Sequence, residues 1–317
     1  MTVPTKPLNR RVLLGAACTL PVWPAWSAET PQVELYDSHL HFFTNDVARY
    51  PIDTRGSREG EQETRARVMN DPGTPEKIFA LWAKNGVTAG TGVQYSGVYK
   101  TDNSYVLDLA DQFPDRIHAE IIIDGRAAKS PEQLAQYVAT RRVAAMRLTG
   151  FVDGTKNLPW LNSAPVLDVW ALADKLALPV GITFLPIKGT EGALRAAREL
   201  AERFPRCPII LEHCGRLVNG DLSPAHLELR LPNVYFKWTT NVIDELQAHK
   251  QSTAAFLRRA VDTFGAERLM WGSDAGNSLR PYADMAADAI ASTDALTPAE
   301  RRRVLHDNGL AIFTRRA

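Results

Sequence analysis

The chain has 317 residues, of which 45% are hydrophobic and 23% charged, with a formal net charge of +1. That composition excludes a disordered chain and is long enough for one large core. The near-neutral balance excludes the broad basic face of a nucleic-acid binder.

The first element is a targeting segment. Asn9-Arg10-Arg11-Val12-Leu13-Leu14 precedes an apolar stretch with no acidic residue before Glu29, the pattern of a twin-arginine export signal. Ala25-Trp26-Ser27 supplies a small-x-small site, so residues 1–27 read as the signal and 28–317 as a single domain, destined for the periplasm. A basic tail is the plainer alternative. Pro21 and Pro24 interrupt the apolar run, which is too short to span a membrane. Loss of Lys6, Arg10 and Arg11 takes the formal charge from +1 to −2.

Eight apolar, β-branched runs follow, separated by longer segments with helical spacing: Val33–Asp37, Val87–Gln94, Ile117–Ile123, Val143–Leu148, Pro179–Phe184, Pro208–His213, Val234–Trp238 and Arg268–Ser273. This alternation predicts a parallel sheet with crossover helices, and eight units close into a distorted (β/α)₈ TIM barrel. Between the first two runs, Phe42–Pro72 is too long for a simple link and predicts a lid or rim over the barrel mouth. Thr74-Pro75, Ser163-Ala164-Pro165 and the capping boxes Ser130-Pro131-Glu132-Gln133 and Thr297-Pro298-Ala299-Glu300 mark helix starts. Leu194, Ala197, Leu200, Ala201 and Phe204 form a packing stripe at spacings of three and four. Cys207 and Cys214 bracket one predicted strand, whose extended length of roughly 20 Å keeps them from bridging.

Chemistry in such a barrel sits at the carboxyl ends of the strands. There the chain places His39 and His41, two residues apart and so on one face, with Arg147, His213, Lys237 and Asp274 from four later strands. Six polar groups converging from distant positions would each carry a desolvation cost, and function is the simplest reason to keep them. Tyr95 and Ser96 follow strand two and would line a wall, whereas Tyr99 reads as packing. His118, His226, His249 and His306 lie away from strand ends, and Asn308-Gly309 reads as helix structure.

Asp37-Ser38-His39-Leu40-His41, Leu211-Glu212-His213-Cys214-Gly215-Arg216, Asn233-Val234-Tyr235-Phe236-Lys237 and Gly272-Ser273-Asp274 resemble the amidohydrolase-related branch of the amidohydrolase superfamily, over nearly the whole mature chain. Gln94-Tyr95-Ser96, Lys100-Thr101-Asp102-Asn103 and Met146-Arg147-Leu148 resemble its pyrone-dicarboxylate and sugar-acid lactonases. The resemblance implies a hydrolase that opens a lactone or similar cyclic ester of a small carboxylated compound. Asp274 would activate water, and His213 would stabilise the oxyanion. Arg147, Arg216, Lys237 and Tyr95 would bind substrate, with a surface salt bridge for Arg216 and a structural pair with Glu212 or Asp274 for Lys237 as equal alternatives.

His39, His41 and Asp274 could hold one Zn²⁺ with a position open for water, and catalysis without metal is an equal alternative. Pro179-Val180-Gly181-Ile182-Thr183-Phe184 lacks the strand-five His of the branch's mononuclear decarboxylases, which lowers the alternative of a metal-dependent non-oxidative decarboxylase. A lactone isomerase is a third chemistry, and a binding protein without turnover a fourth reading. Neither the substrate's ring system nor the oligomeric state follows from the chain.

Overall fold

The computed structural model describes residues 1–2, 33–150, 157–184 and 190–314. The predicted export signal falls outside the described residues, apart from the first two. Among those described, no helix is long and apolar enough to cross a membrane.

Residues Val33–Ala317 form one compact unit, built on eight parallel strands: β1 Leu35–Leu40, β2 Val87–Val93, β3 Ile117–Ile122, β4 Val143–Thr149, β5 Val180–Thr183, β6 Ile209–Leu211, β7 Val234–Thr239 and β8 Leu269–Gly272. Each pairs with the next in chain order. The ring is nearly closed, because past the strand ends Asp274 N donates to His39 O at 2.7 Å and His41 N to Ala275 O at 2.8 Å. Close approach at this seam requires Gly272, where a Cβ would press on the backbone nitrogen and side chain of His39. Every predicted run overlaps an observed strand. The chief shift is at β1, which continues through Ser38 and His39 to Leu40 and so carries the first histidine inside the strand.

The helices cover the barrel with the apolar faces their spacing predicts. In helix Thr190–Arg203 and just after it, Leu194, Ala197, Leu200, Ala201 and Phe204 are all buried. Thr297 and Glu300 make the reciprocal cap at helix Pro298–Arg302, while Thr74 and Ser163 stand at the N-caps of Pro75–Asn85 and Ala164–Leu176 without a side-chain cap bond. Ser130 departs from expectation. Its helix starts one residue earlier in phase, with Lys129 at the cap, and Ser130 Oγ donates instead to Asp124 O at 2.5 Å. Asn308 Nδ2 donates to Ala266 O and Leu269 O, both at 2.7 Å, which ties the last helix to β8 as its structural reading requires. Cys207 and Cys214 are free and buried.

The long first connection contains helix Glu61–Asn70. Its residues Gly56, Ser57 and Arg58 line the cavity at the carboxyl ends of the strands, so the segment is part of the mouth's rim. Arg67 pins the rim down by bonding to Gly276 O and stacking over Phe43.

Candidate active site

The paired imidazoles come from the end of β1, where a two-residue offset keeps both on one side of the strand. Both are buried, with ring centroids 5.1 Å apart. Asp37, just before them, accepts from Ser273 N at 2.8 Å, Ser273 Oγ at 2.6 Å and Tyr282 OH at 2.8 Å. It therefore locks β1 against β8 and fixes the histidines relative to Asp274. Burial raises the Asp37 pKa to about 6, against the pull of these donors.

Asp274 sits in the left-handed region at φ 58°. That conformation costs a non-glycine residue about 1–3 kcal/mol and is retained where the surroundings over-determine it. His213, Cys214 and Arg216 share it at φ 51°, 52° and 61°, on the turn after β6. Left-handed backbone is thus present at both turns that aim His213 and Asp274 into the mouth. Asp274 Oδ2 accepts from Asn241 Nδ2 and Asn277 Nδ2, each at 2.7 Å. This leaves Oδ1 facing His41 Nε2 at 3.3 Å and His39 Nε2 at 3.4 Å.

This trio has the donor set of a metal site. His41 Nδ1 must donate to Val93 O at 2.8 Å, since a carbonyl only accepts. In the neutral ring His41 Nε2 then presents a lone pair to a carboxylate oxygen, an arrangement that a cation between them satisfies. His39 Nε2 and Asp274 Oδ1 are buried without a hydrogen-bond partner, and Nε2 offers its lone pair to an ion when Nδ1–H faces Glu212 Oε1 at 3.5 Å. Tetrahedral Zn²⁺ with bonds of about 2.0–2.1 Å separates its ligands by roughly 3.3 Å, the spacing already present. The residues fit one divalent ion. His39 is also close to Glu212 and His213 in a second group of convergent donors.

Electrostatics follow from burial. Burial raises Asp274, but the surrounding His39, His41 and His213 outweigh it and hold the carboxyl well below its usual range. His39 is pushed down to about 4 by burial. His213 is driven well below its ordinary value by burial and then by Arg216, so it is neutral. Its Nδ1 is bonded to Thr239 Oγ1 at 2.7 Å, and its ring lies 5.1 Å from His39. His213 also lines the cavity, so the other ring nitrogen is the one available to a ligand.

Beneath the histidines lies a dry ring of four charges. Arg147 Nε and Nη2 donate to Glu212 Oε2 at 2.9 and 2.6 Å. Lys237 Nζ donates to Glu120 Oε2 at 2.6 Å and to Glu212 Oε1 at 3.4 Å. All four residues are buried. Burial raises Glu212, but Arg147, His39 and Lys237 more than reverse it, whereas burial dominates at Glu120 and raises it.

This ring changes two readings of the sequence. The sequence allows Lys237 to face substrate or to pair with Glu212 or Asp274; it is fully buried, is absent from the cavity lining and pairs with Glu212 and also with Glu120. Arg147 does reach the cavity lining, but it donates to Glu212, to Thr183 Oγ1 at 3.0 and 3.2 Å and to Gln94 O at 3.1 Å. Its fork is committed to the protein. Arg216 has a different situation, since it lines the cavity and among the described residues spends only Nε, on Phe184 O at 3.1 Å. Burial lowers it to about 10, still charged at neutral pH. Tyr95 packs on His41 at 4.7 Å and donates to Asn277 Oδ1 at 3.0 Å, forming the expected wall and bracing an Asp274 partner. Tyr99 is buried among Phe43 and Tyr105, as its packing role requires.

Sequence reasoning missed Glu120, Asn241 and Arg58, the last of which lines the cavity opposite the later strands. Glu120 did leave a trace, as the one acid in the apolar strand Ile117–Ile122. It also explains the bare fifth strand: a Cβ on Gly181 would run into Glu120 Oε1, so an acid from β3 fills the space a β5 side chain would take.

The fold and this strand-end histidine and aspartate set define an amidohydrolase: the family model described as Amidohydrolase matches residues 36–315, and the chain belongs to that family. Among curated proteins it is similar to L-fucono-1,5-lactonase of Burkholderia ambifaria, 26% identical over 252 residues, which are 75% of this chain and 79% of the relative. Among solved structures, it resembles an amidohydrolase from Burkholderia multivorans with bound zinc (TM-score 0.68, 20% identity, 88% of this chain and 99% of the other). It also resembles a probable 2-pyrone-4,6-dicarboxylic acid hydrolase from Acinetobacter baumannii with citric acid bound (TM-score 0.67, 19% identity, 88% and 99%).

Proposed function

We propose that this amidohydrolase opens a lactone of a small acidic compound by hydrolysis. The observation that carries the reading is the placing of Asp274, which lines the cavity with Oδ2 saturated by two amides and Oδ1 left without a hydrogen-bond partner beside His39 and His41. The L-fucono-1,5-lactonase relative supports the same chemistry.

In this reading Asp274 takes a proton from water as the water attacks the ring carbonyl, then returns it to the departing ring oxygen. With the Thr239 hydroxyl donating to Nδ1, His213 presents Nε2–H to the oxyanion of the tetrahedral intermediate. Arg216 and Arg58, both on the cavity wall, take the substrate's carboxylate, the role that Arg147 is too committed to fill. Tyr95 and Asn277 hold the wall and the base in register. His39, His41 and Asp274 would hold a divalent metal, and the zinc of the Burkholderia multivorans amidohydrolase supports such a site. When bound, the ion would polarise the carbonyl and acidify water.

The test is acid release at constant pH across sugar 1,5-lactones and carboxylated lactones, beside Asp274→Asn. Ring opening by the wild type, with turnover lost in the variant, is the expected result. Full activity of Asp274→Asn removes the proposed base. Carbon dioxide release from an aromatic acid, with no lactone opened, replaces hydrolysis by decarboxylation.

A further inference from the structure

The four buried charges balance, and the balance depends on Lys237. Its ammonium lies between Glu120 Oε2 at 2.6 Å and Glu212 Oε1 at 3.4 Å, with His39 Nδ1 at 3.3 Å. Lys237, Glu120 and Glu212 have no exposed side-chain surface. Glu120 keeps its second oxygen, Oε1, buried without a hydrogen-bond partner, in the space left open by the missing side chain of Gly181. Two carboxylates facing each other in a dry barrel are a cation site, and a spare buried oxygen is an unused ligand.

We propose that Lys237 is a fixed substitute for a second metal ion. Its ammonium occupies the cation position between Glu120 and Glu212, so no ion enters there beside the one that His39, His41 and Asp274 can hold. Lys237 is on this view a positioning residue that touches His39 at 3.3 Å but does not line the cavity, and the bare fifth strand belongs to the same device. Gly181 admits Glu120, and Glu120 retains the lysine. Taking the ammonium away leaves a net negative charge that cannot reach water, and a small cation with a taste for oxygen ligands, such as Mn²⁺, is the natural replacement.

The experiment is Lys237→Met, close in length and uncharged, produced with and without Mn²⁺ and compared with wild type by metal analysis and thermal unfolding. The expected result is one more equivalent of Mn²⁺ than wild type binds under the same conditions, with a midpoint that climbs with Mn²⁺ concentration only in the variant. The pair variant Lys237→Met/Glu120→Gln removes the uncompensated charge together with a ligand. It should fold without added metal and bind no extra ion. Soluble Lys237→Met with no additional Mn²⁺, insoluble protein whether or not Mn²⁺ is supplied, or an extra equivalent in the pair variant would each overturn the proposal.

Discussion

Replacing Arg147 by Met separates a structural arginine from a substrate-binding one. Arg147 gives two hydrogen bonds to Glu212, two to Thr183 and one to the Gln94 carbonyl. Met keeps most of the volume and removes all five. Glu212 is left fully buried with Lys237 at 3.4 Å as its remaining cationic side chain. Breaking a buried pair from one side costs about 3–5 kcal/mol, because the surviving charge has no route to water. A domain of this size loses about 2–4 °C of melting temperature per kcal/mol. The expected fall is therefore on the order of 10 °C, read by calorimetry or circular dichroism. If the melting temperature stays within about 2 °C while KM rises tenfold or more, Arg147 is spending its fork on substrate and the committed-arginine argument is refuted.

Arg216→Ala should do the opposite: a guanidinium with one bond to the described residues contributes little to the fold, so unfolding should barely shift, while loss of a charged contact raises KM roughly 10- to 100-fold. An unchanged KM across acidic lactones would move the carboxylate site elsewhere. His213→Ala should lower kcat by about 10²–10³, the effect of one oxyanion donor, and a change confined to KM would disprove that role. Thr297→Ala removes a two-way cap and should cost about 0.5–2 kcal/mol, whereas Ser130, which does not cap, should show no helix-cap loss when its helix is probed by amide exchange. We propose export by the twin-arginine route, so Arg10→Lys/Arg11→Lys should hold the protein in the cytoplasmic fraction, and unchanged periplasmic recovery would argue against it.

Strand positions were legible in the sequence because their signal is local. A barrel strand covered on both faces is a short β-branched run, and Ile121-Ile122 or Ile209-Ile210-Leu211 cannot be much else once proline- and serine-marked helix starts surround them. Eight such units then predicted a closed barrel, and with it the convergence of His39, His41, His213 and Asp274. Those four could be placed because each stands at a strand end, where chain direction alone decides which mouth it enters.

What tertiary structure decided was which charged groups are spoken for. Lys237 and Glu120 are 117 residues apart and Arg147 and Glu212 are 65 apart. No periodicity links such partners, and only the closed barrel shows that an arginine suited to substrate is already bound to a glutamate. Asn241 could not be singled out for the same reason, since its contact with Asp274 depends on a helix start meeting a left-handed turn from another strand. Local pattern fixes the backbone and its faces. Pairing in a low-dielectric interior is settled by distance and desolvation, which arise only when the chain has folded.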